Sequence, residues 1–271
     1  MDKKLTDEIR RIGRLAGADD VGIADVETLR LLEPGANPER LLPGAGRIVL
    51  ALVADPQLIT EAGSPKEYYS MAYPGYQKAD GAITSVAGAL ERAGYRTRFI
   101  TRDSTITRDS RGRAMKTLPL KQAAQAAGLG TIGLNSLLVT RKWGPRVRLS
   151  GILTNAPLVA GEPLELELCD DCGRCKKECP AGAIPETGSS FAKCSAYLFS
   201  GINLNEVRDS ISVMDFDALA KNGKRLLDST SGWIASLASG RKIYYNCGKC
   251  VQVCDAHERL KQETKKKTRQ S

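Results

Sequence analysis

Cys169-Asp-Asp-Cys172-Gly-Arg-Cys175-Lys-Lys-Glu-Cys179-Pro180 is a complete C-x2-C-x2-C-x3-C-P run. Thiolates at this spacing wrap a cubane iron-sulfur cluster with three ligands from one tight loop, while the fourth reaches a neighbouring cluster. A second ligand set is therefore expected elsewhere in the chain. Of the eight cysteines, four remain: Cys194, Cys247, Cys250 and Cys254. The last three read C-x2-C-x3-C, a ferredoxin run without its first cysteine, and Cys194 is the thiol left for that place. The crossing rule then assigns Cys169, Cys172, Cys175 and Cys254 to one 4Fe-4S cluster, and Cys179, Cys194, Cys247 and Cys250 to the other. Two zinc sites fit poorly, because the sets interlock and a proline follows the fourth thiol. A disulfide framework needs an oxidising compartment, and nothing in the sequence points to export.

A chain of 271 residues has room for such a module and one further core. Its apolar content of 42% is that of an ordinary globular protein. No stretch approaches the ~20 apolar residues of a membrane helix. Arg10-Arg11 has no apolar segment behind it, so it does not read as a twin-arginine signal, and the expected location is the cytoplasm. The formal charge of +9 favours anionic partners without choosing among them, and Lys265 to Arg269 reads as a solvated basic tail.

Upstream of the cysteines, Leu5, Ile9, Ile12 and Ala16 have helical spacing, with Gly17 as a stop. Val21-Gly-Ile23 and Arg47 to Val53 read as strands. Residues 65–94 carry Tyr68, Tyr69, Tyr73 and Tyr76, followed by a helix with Ala79, Ile83, Val86 and Leu90 on one face and Gly94 at its end. Tyr95 to Ile100 reads as a strand, and Thr101 to Thr117 as a long loop, functional or disordered. A helix from Leu118 to Ala127 precedes Gly128-Leu-Gly130-Thr-Ile-Gly133, formally G-x-G-x-x-G. A dinucleotide fingerprint follows a strand and opens a helix; this one follows a helix. The glycines instead suggest close backbone approach, to a flat cofactor or to another segment. Val147 to Thr154 supplies a further strand. Alternating strands and helices argue for a sheet layered with helices. Between Cys194 and Cys247, amphipathic stretches around Phe216 to Leu227 and Trp233 to Leu237 form an insert that serves as a lid or as a partner surface.

This order of pieces resembles the epoxyqueuosine reductase and reductive dehalogenase superfamily. The resemblance is carried by Asp20-Val-Gly-Ile-Ala24, Ala126-Ala-Gly-Leu-Gly-Thr-Ile-Gly-Leu-Asn135, Thr154-Asn-Ala-Pro157 and the cysteines, including Cys194 in Lys-Cys-Ser-Ala-Tyr-Leu198. It implies a cobalamin held flat between the upstream domain and the cluster of Cys179, Cys194, Cys247 and Cys250, with Gly128, Gly130 and Gly133 as candidates for its close approach. It also implies a low-potential donor such as ferredoxin or flavodoxin, and a side chain above the ring that gives a proton.

Three departures qualify that resemblance. Where epoxyqueuosine reductases carry an aspartate before a Tyr-His pair, this chain reads Tyr73-Pro-Gly75-Tyr76-Gln77. The helical repeats that follow the last cysteine in those enzymes are absent, and Asp255 stands after Cys254 where proline is usual. The first two departures weigh against transfer RNA as partner. Reductive dehalogenases use a tyrosine as acid, and Tyr76 is the candidate by position. His257, the single histidine, reads as a surface residue, since the resembling enzymes bind cobalamin without a protein histidine.

The expected architecture is an α/β (α+β) N-terminal cobalamin-binding-like domain over 1–163, then a two-cluster bacterial ferredoxin-like module over 164–260. The module carries a helical insert at 195–246, and a basic tail spans 261–271. The expected function is cytoplasmic iron-sulfur oxidoreduction linked to a corrinoid, acting on a small molecule or on a corrinoid protein, with no membrane partner. The rivals are an electron carrier without cobalamin and a transfer RNA epoxyqueuosine reductase-like enzyme.

Overall fold

The computed structural model describes residues 1–100, 107–108, 114–115, 118–186, 189–190, 193–194, 197, 247–256 and 258–260. Its centre is a four-stranded sheet in the order β1 (Asp20–Asp25), β2 (Arg47–Ala54), β8 (Val147–Thr154), β3 (Thr97–Ile100). Every neighbouring pair is antiparallel. β2 and β3 therefore run the same way, and β8, from much later in the chain, lies between them. This is a split strand-helix-strand unit, and it makes the upstream region α+β.

Alternation along β2 serves two cores. Ile48, Leu50 and Leu52 face one side of the sheet, with Leu29, Ala123, Ala124 and Leu153. Val49 and Ala51 face the other, with Ile9, Ile83, Val86, Leu90 and Ile152, as a two-residue side-chain period requires. Helices α1 (Lys3–Leu15) and α4 (Pro65–Arg92) cover the second side. The first is covered by α2 (Val26–Leu32) and α5 (Leu120–Ala126), with the short α3 (Pro38–Leu41) beside α2. Because both faces are covered, all eight residues of β8 are buried, including a charged one, Arg148.

α4 begins earlier than the periodicity suggests. The four tyrosines do not precede the helix but form its first three turns. Ser64 caps it by accepting from the Glu67 amide (3.1 Å), Glu67 accepts from the Gly63 amide (2.7 Å), and Pro65 occupies the first turn. Pro74 lies inside the helix and removes one ladder bond. Gly75, next to it, is buried; a Cβ there would lie 3.1 Å from both Arg148 Cγ and Asp55 Oδ1. The Pro-Gly pair is thus where the helix backbone closes on the end of the sheet.

Of residues 101–117, the described part is a ribbon of β4 (Thr107–Arg108) and β5 (Ala114–Met115). After α5, β6 (Thr131–Ile132) and β7 (Leu138–Val139) form a second hairpin. The cysteine runs contribute two four-residue helices, α6 (Arg174–Lys177) and α7 (Lys249–Gln252), which pack on each other. Each is preceded by a glycine with φ of 72°, Gly173 and Gly248. The insert at 195–246 apart from Tyr197, His257, and the tail from 261 lie outside the described residues. Among the described residues, no helix is long and apolar enough to cross a membrane.

Candidate iron-sulfur and redox site

Cys169, Cys172, Cys175 and Cys254 line one cavity, together with Leu134, Asn135, Val139, Arg174 and Arg259. Burial pushes the Cys254 thiol up, against a backbone hydrogen bond from Ala256, and nearby Cys169, Cys172 and Cys175 push it further. Of the eight thiols, Cys172 alone is exposed and the others are partly buried, so this outer group reaches the surface.

The remaining four thiols form an inner group. Burial pushes Cys250 up to about 12, and Cys247, Cys194, Cys175 and Cys179 add to that shift. Cys194 is raised by burial and then by Cys247 and Cys179. The Cys179 sulfur accepts a backbone bond from Ala183 (3.3 Å), the kind of contact that sets cluster potentials. Burial opposes charge on Cys175 and Cys254 in the outer group and on Cys194 and Cys250 in the inner one; a cation offsets that cost and iron supplies the charge, so both donor sets fit clusters. Among the described residues, no three His, Cys, Asp or Glu side chains close on a single metal ion. Thiolates around a four-iron body stand further apart than those around one ion.

The glycine-rich stretch has a different task from the one its pattern suggested. A Cβ on Gly128 would lie 2.3 Å from the Glu162 carbonyl oxygen, and one on Gly130 2.3 Å from the Val139 carbonyl oxygen. At Gly133 it would lie 3.5 Å from Cys169 Sγ. The approaching groups belong to the chain itself, which is the second of the two readings of these glycines. The β6–β7 hairpin docks both cysteine runs: Thr131 Oγ1 accepts from the Leu168 amide (3.0 Å), and Asn135 Nδ2 donates to the Cys250 carbonyl (3.3 Å).

Beside the inner group, where β2 ends and β8 begins, lies a buried polar constellation that spacing did not reveal. Arg148 meets Asp55 through Nη2 to Oδ2 (2.6 Å) and Nε to Oδ1 (3.0 Å). Its Nη2 also donates to the Tyr68 hydroxyl (2.9 Å), and its Nη1 to the Tyr76 hydroxyl (3.3 Å). Burial opposes the Arg148 charge, yet Tyr76, Tyr68 and Asp55 together hold its pKa above the usual range. Burial pushes the Asp55 carboxyl up, and Arg148 and Arg146 oppose it. The one available signal was a lone arginine in an otherwise apolar, strand-like run.

Tyr68 and Tyr76 differ in environment. Tyr68 is 1% exposed, and burial pushes its phenol up to about 12. Its ring packs so closely on Gly248 that a Cβ there would lie 2.2 Å from it. Tyr76 is half-buried and packs, as Met71, Leu137 and Cys250 do, against the buried cluster of Ile59, Ala62, Tyr68, Ala72 and Val251, with the Arg148 guanidinium 4.9 Å from its ring centre. Tyr69 and Tyr73 pair with each other, their centroids 5.7 Å apart. Lys121, on α5, donates to the Ser136 carbonyl; burial pushes its pKa down, and the nearby Cys250 opposes that. Next to it, the Gln122 side-chain oxygen is buried with no hydrogen-bond partner. An orphan acceptor of this kind suits an amide donor such as those at a corrin's edge, and Gly128, although met by the Glu162 carbonyl, also lines a cavity with Arg10, Arg14 and Asp20.

Residues 163–184 match the family described as 4Fe-4S binding domain, so this segment carries a ferredoxin-type iron-sulfur motif. More particularly, parts of the chain are similar to reductive dehalogenases and epoxyqueuosine reductases. It is 38% identical over 81 residues to the tetrachloroethene reductive dehalogenase of Sulfurospirillum multivorans, covering 29% of this chain and 16% of that protein. It is 26% identical over 198 residues to the epoxyqueuosine reductase of Bacillus cereus, covering 66% of this chain and 47% of that one. The chain thus spans less than half the length of either curated relative. Among solved structures, an epoxyqueuosine reductase bound to an epoxyqueuosine-modified tRNA-Tyr stem loop superposes with a TM-score of 0.59 at 19% identity. That likeness of fold covers 94% of this chain and 66% of the other. The sequence departures that weighed against transfer RNA therefore find no support in the comparisons.

Proposed function

We propose that the chain is an iron-sulfur oxidoreductase that relays electrons from a low-potential protein donor such as ferredoxin or flavodoxin through two 4Fe-4S clusters. The outer group takes the entry role because Cys172 is exposed, and the inner group delivers electrons beside Tyr76 and Arg148. Cobalamin, when bound there, supplies a low-valent metal centre for reductive chemistry on a small substrate or for reduction of a corrinoid protein.

The observation that carries this reading is Arg148 donating to the oxygen of Tyr76, which packs against the same buried cluster as the inner-group residue Cys250. A phenol with an ordinary pKa of about 10 is a weak acid. A guanidinium already bonded to its oxygen stabilises the phenolate left after proton transfer, so Tyr76 can act as general acid. Asp55 fixes the guanidinium, and Gly75 lets α4 bring Tyr76 against it.

The test is anaerobic titration of the cluster-loaded protein with cob(II)alamin, read by electron paramagnetic resonance. A saturable base-off cobalt signal is expected, and Tyr76→Phe keeps that signal while losing substrate turnover. Cobalt left unbound while both clusters reduce overturns the corrinoid reading in favour of a plain electron carrier. A transfer RNA substrate is favoured by the fold likeness to the RNA-bound reductase over 94% of this chain. It predicts RNA binding that weakens linearly in log-log with salt, the slope counting phosphate contacts.

A further inference from the structure

Asp255 stands where ferredoxin runs end in proline, as this chain's own Cys179-Pro180 does. The outer group draws three ligands from one loop but its fourth, Cys254, from 79 residues beyond Cys175 (254 − 175). Something must hold that distant ligand against the loop, and a carboxylate does what a proline ring cannot. Asp255 Oδ2 pairs with Arg174 Nη2 at 2.8 Å, and its Oδ1 accepts from Arg259 Nε at 3.3 Å. Arg259 Nη1 in turn pairs with Asp170 Oδ2 at 2.5 Å. Asp170 and Arg174 lie between the first three cysteines; Asp255 and Arg259 follow the fourth. The four side chains form a series of ion pairs, Arg174–Asp255–Arg259–Asp170, that joins the two segments. Asp170, Arg174 and Arg259 line the same cavity as the four thiols.

We infer that Asp255 is a positioning residue: it clasps Arg174 and Arg259 over the outer cavity and thereby keeps Cys254 on the outer cluster. This rests on the two-cluster reading above. An isolated exposed ion pair contributes little, but pairs that share Asp255 and Arg259 couple with one another along the series. Asp255 and Arg259 are only 27% and 26% exposed, whereas Arg174 and Asp170 at the two ends are 48% and 41% exposed, so salt screens the ends of the series more than its centre.

The measurement is iron release to a chelator from the anaerobically loaded full chain. The outer cluster's paramagnetic signal is identified as the one lost in Cys172→Ala. Asp255→Ala is expected to release the outer cluster about tenfold faster than the parent, equivalent to about 1.4 kcal/mol in the release barrier. The inner signal stays intact. Asp255→Glu restores retention. Asp255→Pro, which installs the usual residue, releases as fast as Asp255→Ala. Retention by the proline variant equal to the parent overturns the clasp, as does equal loss of both clusters in Asp255→Ala. Failure of the parent itself to take up iron and sulfide overturns the cluster reading instead.

Discussion

Gly173 and Gly248 offer a built-in comparison, and Gly248→Ala is the sharper perturbation. Both glycines open a four-residue helix between two cysteines, and both have φ of 72°. An L-residue in that left-handed region costs about 1–2 kcal/mol, a penalty the two alanine variants share. Beyond that they part. A Cβ on Gly173 meets nothing within 4 Å, whereas one on Gly248 would lie 2.2–2.4 Å from Cδ2, Cε2 and Cγ of Tyr68. That ring cannot swing aside, being 1% exposed with its hydroxyl held by Arg148 at 2.9 Å. Overpacking of this kind adds about 1–3 kcal/mol. Gly248→Ala is therefore expected to lose about 2–5 kcal/mol, and Gly173→Ala about 1–2. Denaturant unfolding of the anaerobic, cluster-loaded proteins measures the difference, with iron and sulfide content as a second readout. Tyr68→Leu in the Gly248→Ala background recovers part of the loss by opening the contact. Equal destabilisation by the two glycine variants would refute the claim that Tyr68 buttresses the inner cysteine run.

The other predictions concern the same two regions. Asp55→Ala leaves the Arg148 guanidinium, only 8% exposed, without its carboxylate; a loss of about 3–5 kcal/mol is expected, and a urea midpoint within experimental error of the parent's contradicts it. Tyr68 titrates late: with its phenol near 12 in the folded protein and 10 unfolded, only the unfolded chain sheds that proton as pH rises through this window. Stability present below pH 10 thus falls by about 2.7 kcal/mol by pH 12. Ultraviolet titration of tyrosinate shows the late step, and Tyr68→Phe abolishes it. Cys254→Ala and Cys194→Ala each reduce iron from about eight to about four per chain. They remove different paramagnetic signals, and loss of the same signal in both would break the crossed assignment.

The eight cysteines and most elements were legible in the chain itself. Spacing is a local property, and the cysteine ligands recur at fixed short intervals because one tight loop must wrap a cluster. Helices and strands announced themselves in the same way: Ile9, Ile83, Val86 and Leu90 repeat with the helical turn, and Ile48 to Val53 form a short apolar run. The start of α4 was written locally in Ser64-Pro65-Lys66-Glu67, a capping box with proline in the first turn, but the four tyrosines behind it hid the helical period. The glycine-rich stretch was legible as a place of close approach, but what approaches was not.

Only the tertiary structure decided the polar site. Asp55, Tyr68, Tyr76 and Arg148 span 93 residues (148 − 55) and meet because β8 inserts between β2 and β3 while Pro74-Gly75 lets α4 close on the sheet end. The same holds for Asp255, whose partners Arg174 and Arg259 lie on either side of a long insert. Short-range patterns write helices, strands and cluster loops into sequence, because those depend on residues a few positions apart. Charges brought together by strand order and chain crossing leave no periodic trace, because nothing local requires them to be there.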